Sequence, residues 1–126
     1  MGPRMEAKRI LVVDDQESMR DMLADLLDMM GHEPRTASGG AEALERLDEE
    51  TIDLVITDLN MPEMDGMELT KRIKSRTPEM PVIVITGYGT FNTERQVLAS
   101  GADGYIPKPC TIHRVQETVN AALGVK

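Results

Sequence analysis

Two adjacent carboxylates, Asp14 and Asp15, stand directly after the apolar residues of RILVVDDQ. A third, Asp58, ends the run DLVITD; a hydroxyl, Thr86, ends VIVIT; an amine, Lys108, follows GYIP. Each of these five residues sits where core-type residues give way to polar ones. If the apolar runs are strands of one parallel sheet, all five side chains reach the same edge. Three carboxylates, a hydroxyl and an amine around one pocket suit a phosphate-bearing ligand together with a hard divalent cation.

Charge arithmetic points the same way. Two carboxylates about 4 Å apart repel by roughly 4 kcal/mol at an effective dielectric near 20, so three mutual neighbours approach about 12 kcal/mol. That rivals the whole stability of a domain, roughly 5 to 15 kcal/mol. Lys108 neutralises about one charge. Mg²⁺, which takes one or two carboxylates plus waters and phosphate oxygens, suits the remainder.

Taken singly, each residue has a plainer explanation. Asp14 and Glu17 have the spacing of a capping box, which would make one acid a helix cap. Asp58 is an ordinary strand-end acid, Thr86 an ordinary strand-end threonine, Lys108 a solvated lysine, and Tyr105 a packing residue at a sheet edge. The cap leaves the second acid unexplained, and five independent accidents do not account for one shared edge.

The positioning elements can be read from periodicity. RILVV (9 to 13), DLVIT (53 to 57) and VIVIT (82 to 86) are short, β-branched and nearly continuous in apolar residues, as strands covered on both faces should be. EPRTA (33 to 37) is a weaker polar strand and DGYIP (103 to 107) a short one. Between them, Met19, Met22, Leu23, Leu26, Leu27 and Met30 recur at helical spacing and stop at Gly31, a natural C-terminal cap. Ala43, Leu44 and Leu47 mark a second helix, entered through Ser38, Gly39 and Gly40. A third opens at Gly66 with Leu69 and Ile73 inward, a fourth rests thinly on Val97 and Leu98, and a last uses Ile112, Val115, Val119 and Ala122. The order βαβαβαβαβα implies a parallel sheet between two helical layers. Ligands of such sheets bind beyond the carboxyl ends of the strands.

The chain has 126 residues and a net charge of -8, enough for one core and a field that repels nucleic acid and anionic membrane. No direct nucleic-acid binding and no membrane association are expected. Aromatics make up 2% of residues, so packing falls to aliphatics and to ten Met. Cys110 is the single cysteine, which excludes an internal disulfide. No apolar run approaches the roughly 18 residues of a membrane span, and a cytoplasmic location is expected. Residues 1–7 are read as a disordered leader or cloning remnant, and 8–126 as one domain.

From Lys8 onward, ILVVDDQ, ITDLNMPEMDG, PVIVITGYG and GADGYIPKP occur in the order and spacing of one family. The chain resembles the receiver domain of two-component response regulators. The resemblance implies a flavodoxin-like (βα)₅ three-layer sandwich with strand order 2-1-3-4-5. It implies that Asp58 accepts a phosphoryl group from a sensor histidine kinase or a histidine phosphotransfer protein. Asp15, Asp58 and the backbone carbonyl of Asn60 then ligate Mg²⁺, for which Mn²⁺ can substitute, and Asp14 acts through a bound water. Thr86 and Lys108 engage the phosphoryl group, and Tyr105 swings inward as Thr86 moves. The output runs through the face of helix four, strand five and helix five to an effector domain or target protein, with a phosphorylation-dependent homodimer as one form.

The resemblance also places Asn60 and Tyr88 at positions that tune phosphoryl lifetime, Tyr88 by shielding the acyl phosphate from water. It implies a cis Lys108-Pro109 bond. Cys110 departs from the aromatic residue common after Lys-Pro. Two other readings compete. A Mg²⁺-dependent phosphohydrolase with an aspartyl nucleophile wants an acid two residues on, where Asn60 stands. An unphosphorylated binding module of the same fold has no need of all five site residues. No external turnover substrate is expected, and no GxxxxGK or GxGxxG follows the first strand.

Overall fold

The structure is a computed structural model, and it describes residues 7–87, 91–108 and 110–124, with the side chain of Phe91 also outside the description. Tyr88, the Lys108-Pro109 bond and the leader before Ala7 therefore lie outside the described residues. Five strands and five helices alternate: β1 (Arg9–Val13), α1 (Glu17–Met29), β2 (Glu33–Ala37), α2 (Gly40–Glu49), β3 (Leu54–Asp58), α3 (Gly66–Arg76), β4 (Val82–Thr86), α4 (Phe91–Ala99), β5 (Gly104–Pro107) and α5 (Ile112–Leu123). All pairings are parallel, as the alternation of elements predicts, and the strand order is β2-β1-β3-β4-β5, as the family resemblance implies. Strand β3 is displaced by one residue from the expected 53–57, so Asp58 is its last member.

The near-continuous apolar strands are explained by burial on both faces. Alternate side chains of β1 separate: Ile10 and Val12 join Leu23, Leu26 and Leu27 of α1 and Val115 and Val119 of α5. Leu11 and Val13 join Ala43 and Leu44 of α2 and Leu69 and Ile73 of α3. A smaller cluster sets Val84 and Tyr105 against Leu59, Val97 of α4 and Ala102. Each fully buried aliphatic contributes roughly 1.5 to 3 kcal/mol, so the central strands hold the sheet edge as a stiff base.

Helix termini follow the local chemistry. Helix α1 ends in a Schellman arrangement: the His32 N–H donates to Leu27 O at 3.0 Å, the Gly31 N–H donates to Asp28 O at 3.0 Å, and Gly31 has φ +91°. Thr111 caps α5 by accepting the Arg114 N–H at 3.1 Å. Three residues assigned to helix faces by spacing alone point elsewhere. Met22 is 49% exposed, Leu98 44% and Ile112 58%, while Leu23 and Leu26, Val97, and Val115 supply the buried stripes of their helices. Among the described residues no helix is long and apolar enough to cross a membrane.

Candidate functional site

Four strands deliver the site. β3 ends on Asp58 and β4 on Thr86, while β1 and β5 each end one residue before Asp14 and Lys108. Because the sheet is parallel, those four ends lie side by side. One oxygen from each of Asp14, Asp15 and Asp58 lies within 4.8 Å of the others. Lys108 Nζ is 3.7 Å from Asp58 Oδ1 and 3.9 Å from Asp14 Oδ2. A cavity of about 360 Å³ opens over them, lined by Asp15, Gln16, Asp58, Asn60, Gly87 and Lys108. A larger hollow of about 450 Å³ lies between the far ends of α2 and α3. There Asp48 is already paired with Arg76 at 3.1 Å, and no strand end contributes.

The two adjacent acids differ sharply in burial. Asp14 is only 2% exposed, whereas Asp15 faces solvent. Asp14 does not cap α1. The helix begins at Glu17 with Gln16 as N-cap and no side-chain cap bond, so the expected capping box is absent. Asp14 Oδ1 instead accepts the Gln16 N–H at 2.9 Å, an Asx turn that bends the chain from β1 into α1. The spacing to Glu17 was misleading because the turn uses the residue two positions on, before the helix starts.

Burial pushes the Asp14 carboxyl up from its ordinary pKa; the Gln16 N–H opposes this and the Asp58 charge adds to it. Asp58, 8% exposed, is also raised chiefly by burial. Lys108 and the N–H groups of Asn60 and Leu59 partly offset that rise. Both buried acids are thus costly to ionise as they stand. Extra positive charge would relieve them.

The loop from Asp58 to Gly66 explains its own composition. A Cβ on Gly66 would lie 2.5 Å from Asp58 O and 2.9 Å from Leu59 Cα, so only glycine lets α3 start against the end of β3. The Gly66 N–H donates to Leu59 O at 2.8 Å, the Met64 N–H donates to Pro62 O at 2.7 Å, and Glu63 adopts φ +71°. Asp65 caps α3 by accepting the Glu68 N–H at 2.8 Å. This turn carries Asn60 to the pocket, where its Nδ2 donates to Thr86 Oγ1 at 3.1 Å. Thr86 is fully buried, as the end of a central strand. Tyr105 is buried beside Val97 and Leu59, and burial, with Glu94 nearby, raises its phenol pKa.

The donors present are hard oxygens, three of them carboxylate, with one lysine against three acids. That set fits Mg²⁺ better than a softer ion. The description "response regulator receiver domain" matches residues 10–120, nearly the whole described chain. The chain belongs to the response regulator receiver family.

Relatives and solved structures fill in that membership. The chain is 41% identical over 114 residues to the transcriptional regulatory protein ZraR of Klebsiella oxytoca, covering 90% of this chain and 26% of ZraR. It is 40% identical over 110 residues to the sensor histidine kinase RcsC of Escherichia coli, covering 87% of this chain and 12% of RcsC. A crystal structure of a response regulator receiver domain protein from Clostridium thermocellum superposes with a TM-score of 0.88 at 36% identity, covering 93% of this chain and 94% of that one. The chain therefore spans about a quarter of ZraR and about an eighth of RcsC. As a receiver domain it is a signalling module of two-component systems.

Two contributors to the site left no mark in the sequence. Gln16 lines the cavity and caps α1 through its backbone. Arg20 Nη1 donates to the main-chain carbonyl of Asp14 at 2.7 Å. A partner that is a backbone atom carries no residue type, so no spacing rule could have found it.

Proposed function

We propose that Asp58 is the phosphoacceptor, taking a phosphoryl group from the phosphohistidine of a sensor histidine kinase or a histidine phosphotransfer protein. The observation that carries this reading is the convergence of Asp14, Asp15 and Asp58 with Lys108 within 4 Å of two of them. The bond forming is between an Asp58 carboxylate oxygen and phosphorus; the bond breaking is phosphorus to imidazole nitrogen, which keeps the electron pair. Lys108 offsets the repulsion between the carboxylate and the incoming anion. Asp15, Asp58 and the Asn60 carbonyl would hold Mg²⁺ or Mn²⁺, with Asp14 helping through a water, and the cation would supply charge neutralisation for the transfer.

Thr86 then gives up the Asn60 amide for a phosphoryl oxygen, which biases a pre-existing equilibrium. Tyr105 follows in its cluster with Val97, and the face of α4, β5 and α5 passes the change to an effector domain, a target protein or a second copy of the chain. Asn60 and Tyr88 set how long the acyl phosphate lasts. The domain occupies 8–126, works in the cytoplasm, and turns over no external substrate. The phosphohydrolase reading has less support, since Asn60 offers an amide already donated to Thr86 where a general acid is needed.

The test is the mass of the protein after incubation with Mg²⁺ and acetyl phosphate. One added phosphoryl group is expected in the parent and in Asp53→Asn, whose carboxylate serves the far end of β1 by accepting the Arg9 N–H at 2.8 Å. None is expected in Asp58→Asn. An unchanged mass shift in Asp58→Asn would refute the assignment, and steady release of phosphate from unrelated esters would favour the hydrolase.

A further inference from the structure

Every polar atom of Asp14 is engaged. Its N–H donates to Ala37 O at 3.2 Å, its Oδ1 accepts the Gln16 N–H at 2.9 Å, and its Oδ2 faces Lys108 at 3.9 Å. Its carbonyl accepts the Arg20 guanidinium at 2.7 Å, the shortest of the four contacts. Arg20 projects from the first turns of α1, where its own N–H donates to Gln16 O at 3.1 Å. Among the described residues it makes no hydrogen bond or ion pair with Asp58 or Lys108, and phosphoryl transfer makes no use of it.

The neighbour of that carbonyl is what gives the contact meaning. The Asp14 carbonyl and the Asp15 amide share one planar peptide unit, so fixing the oxygen fixes the plane from which Asp15 departs. Asp15 has little else to hold it. Its side chain is exposed, and among the described residues no hydrogen bond reaches its carboxylate. Asp14 and Asp58, by contrast, are held by burial and by Lys108.

We propose that Arg20 is a positioning residue for the cation site: by holding the Asp14 carbonyl it orients the otherwise untethered Asp15 carboxylate toward the ion. This rests on the receiver reading above. A simple electrostatic role predicts the opposite sign, because a fixed positive charge near a cation site repels the cation and its removal would tighten binding.

The experiment measures Mn²⁺ binding to the whole chain, without phosphodonor, from the loss of the free Mn²⁺ electron paramagnetic resonance signal. Arg20→Met is expected to weaken binding by about 10-fold or more, the usual effect of removing a partner behind a metal ligand. Arg20→Lys, which keeps the charge and a shorter donor, is expected to fall between the two. Val119→Ala serves as a destabilised control, since Val119 is fully buried in the core away from the site. It should leave Mn²⁺ affinity within about two-fold of the parent, because a distant cavity costs stability without touching a ligand.

Equal or tighter binding in Arg20→Met overturns the proposal, as does a loss in Val119→Ala as large as in Arg20→Met. If Arg20→Met does not fold, parent-like affinity in Arg20→Lys overturns it. Asp15→Asn and Asp58→Asn keep the two levels apart: if both bind Mn²⁺ like the parent, the cation site itself is wrong, whatever Arg20 does.

Discussion

Replacing Asp58 by Asn should stabilise the protein when no divalent cation is present. The change keeps the shape and removes one charge from a site where acids outnumber the lysine. Asp14 is the strongest opponent: both carboxylates are buried, with oxygens within 4.8 Å. Their repulsion is about 3.5 kcal/mol at an effective dielectric of 20. Asp15 is exposed, and water reduces its share to about 1 kcal/mol. Lys108, 3.7 Å from Asp58, is a quarter exposed and also serves Asp14, so roughly half of its nominal 4.5 kcal/mol attraction acts on Asp58.

The balance is a penalty of about 2 kcal/mol in the parent, before counting the cost of burying the ionised group. Asp58→Asn should therefore gain about 2 kcal/mol in EDTA at neutral pH, or roughly 8 °C in Tm for a domain of this size. Urea and thermal unfolding followed by circular dichroism measure both. In millimolar Mg²⁺ the gain should shrink or reverse, since the parent then gains about 2.7 kcal/mol at a hundredfold excess over Kd and the variant has lost a ligand. Equal or lower stability of Asp58→Asn in EDTA would mean that the acids are neutralised by other means, and the case for a cation would fail.

Four further outcomes are expected. His32 is 3% exposed, its Nδ1 accepts the Lys8 N–H at 3.1 Å, and burial, with Lys8 adding, lowers its pKa from the ordinary 6.5. The unfolded chain thus takes up the proton first, so stability is lost as pH falls below about 6.5; the parent-minus-His32→Asn difference in unfolding free energy should fall with pH across that window. Gly66→Ala, which sets a methyl 2.5 Å from Asp58 O, should cost about 1 to 3 kcal/mol in urea unfolding and weaken Mn²⁺ binding. Thr86→Val should keep the mass shift from acetyl phosphate but lose most of the phosphorylation-induced NMR shift changes in α4 and β5, because the methyl offers the phosphoryl group no hydrogen bond. Tyr88→Ala should speed loss of the phosphoryl group, measured by mass against time; an unchanged rate would remove Tyr88 from lifetime control.

The fold was legible because its strongest signals are local. β-branched runs, helical spacing and the Gly31 and Gly66 punctuation placed ten elements in order, and parallel connectivity set where their ends converge. What failed were judgements that depend on neighbours. Met22, Leu98 and Ile112 have the right spacing for core positions, yet the packing of each helix onto the sheet turned them outward. The capping-box spacing of Asp14 and Glu17 was real, yet the chain turned one residue too early for it.

The sequence by itself determined which residue types stand at the strand ends, and hence that Asp14, Asp15, Asp58, Thr86 and Lys108 share an edge: strand direction is a property of the alternation. Only the tertiary structure decided that adjacent Asp14 and Asp15 differ, one buried and engaged at every polar atom, the other exposed beside a carbonyl that Arg20 holds. Burial and backbone hydrogen bonds depend on the path of the loop and on what packs over it, and a carbonyl accepting from Arg20 has no residue type to announce it.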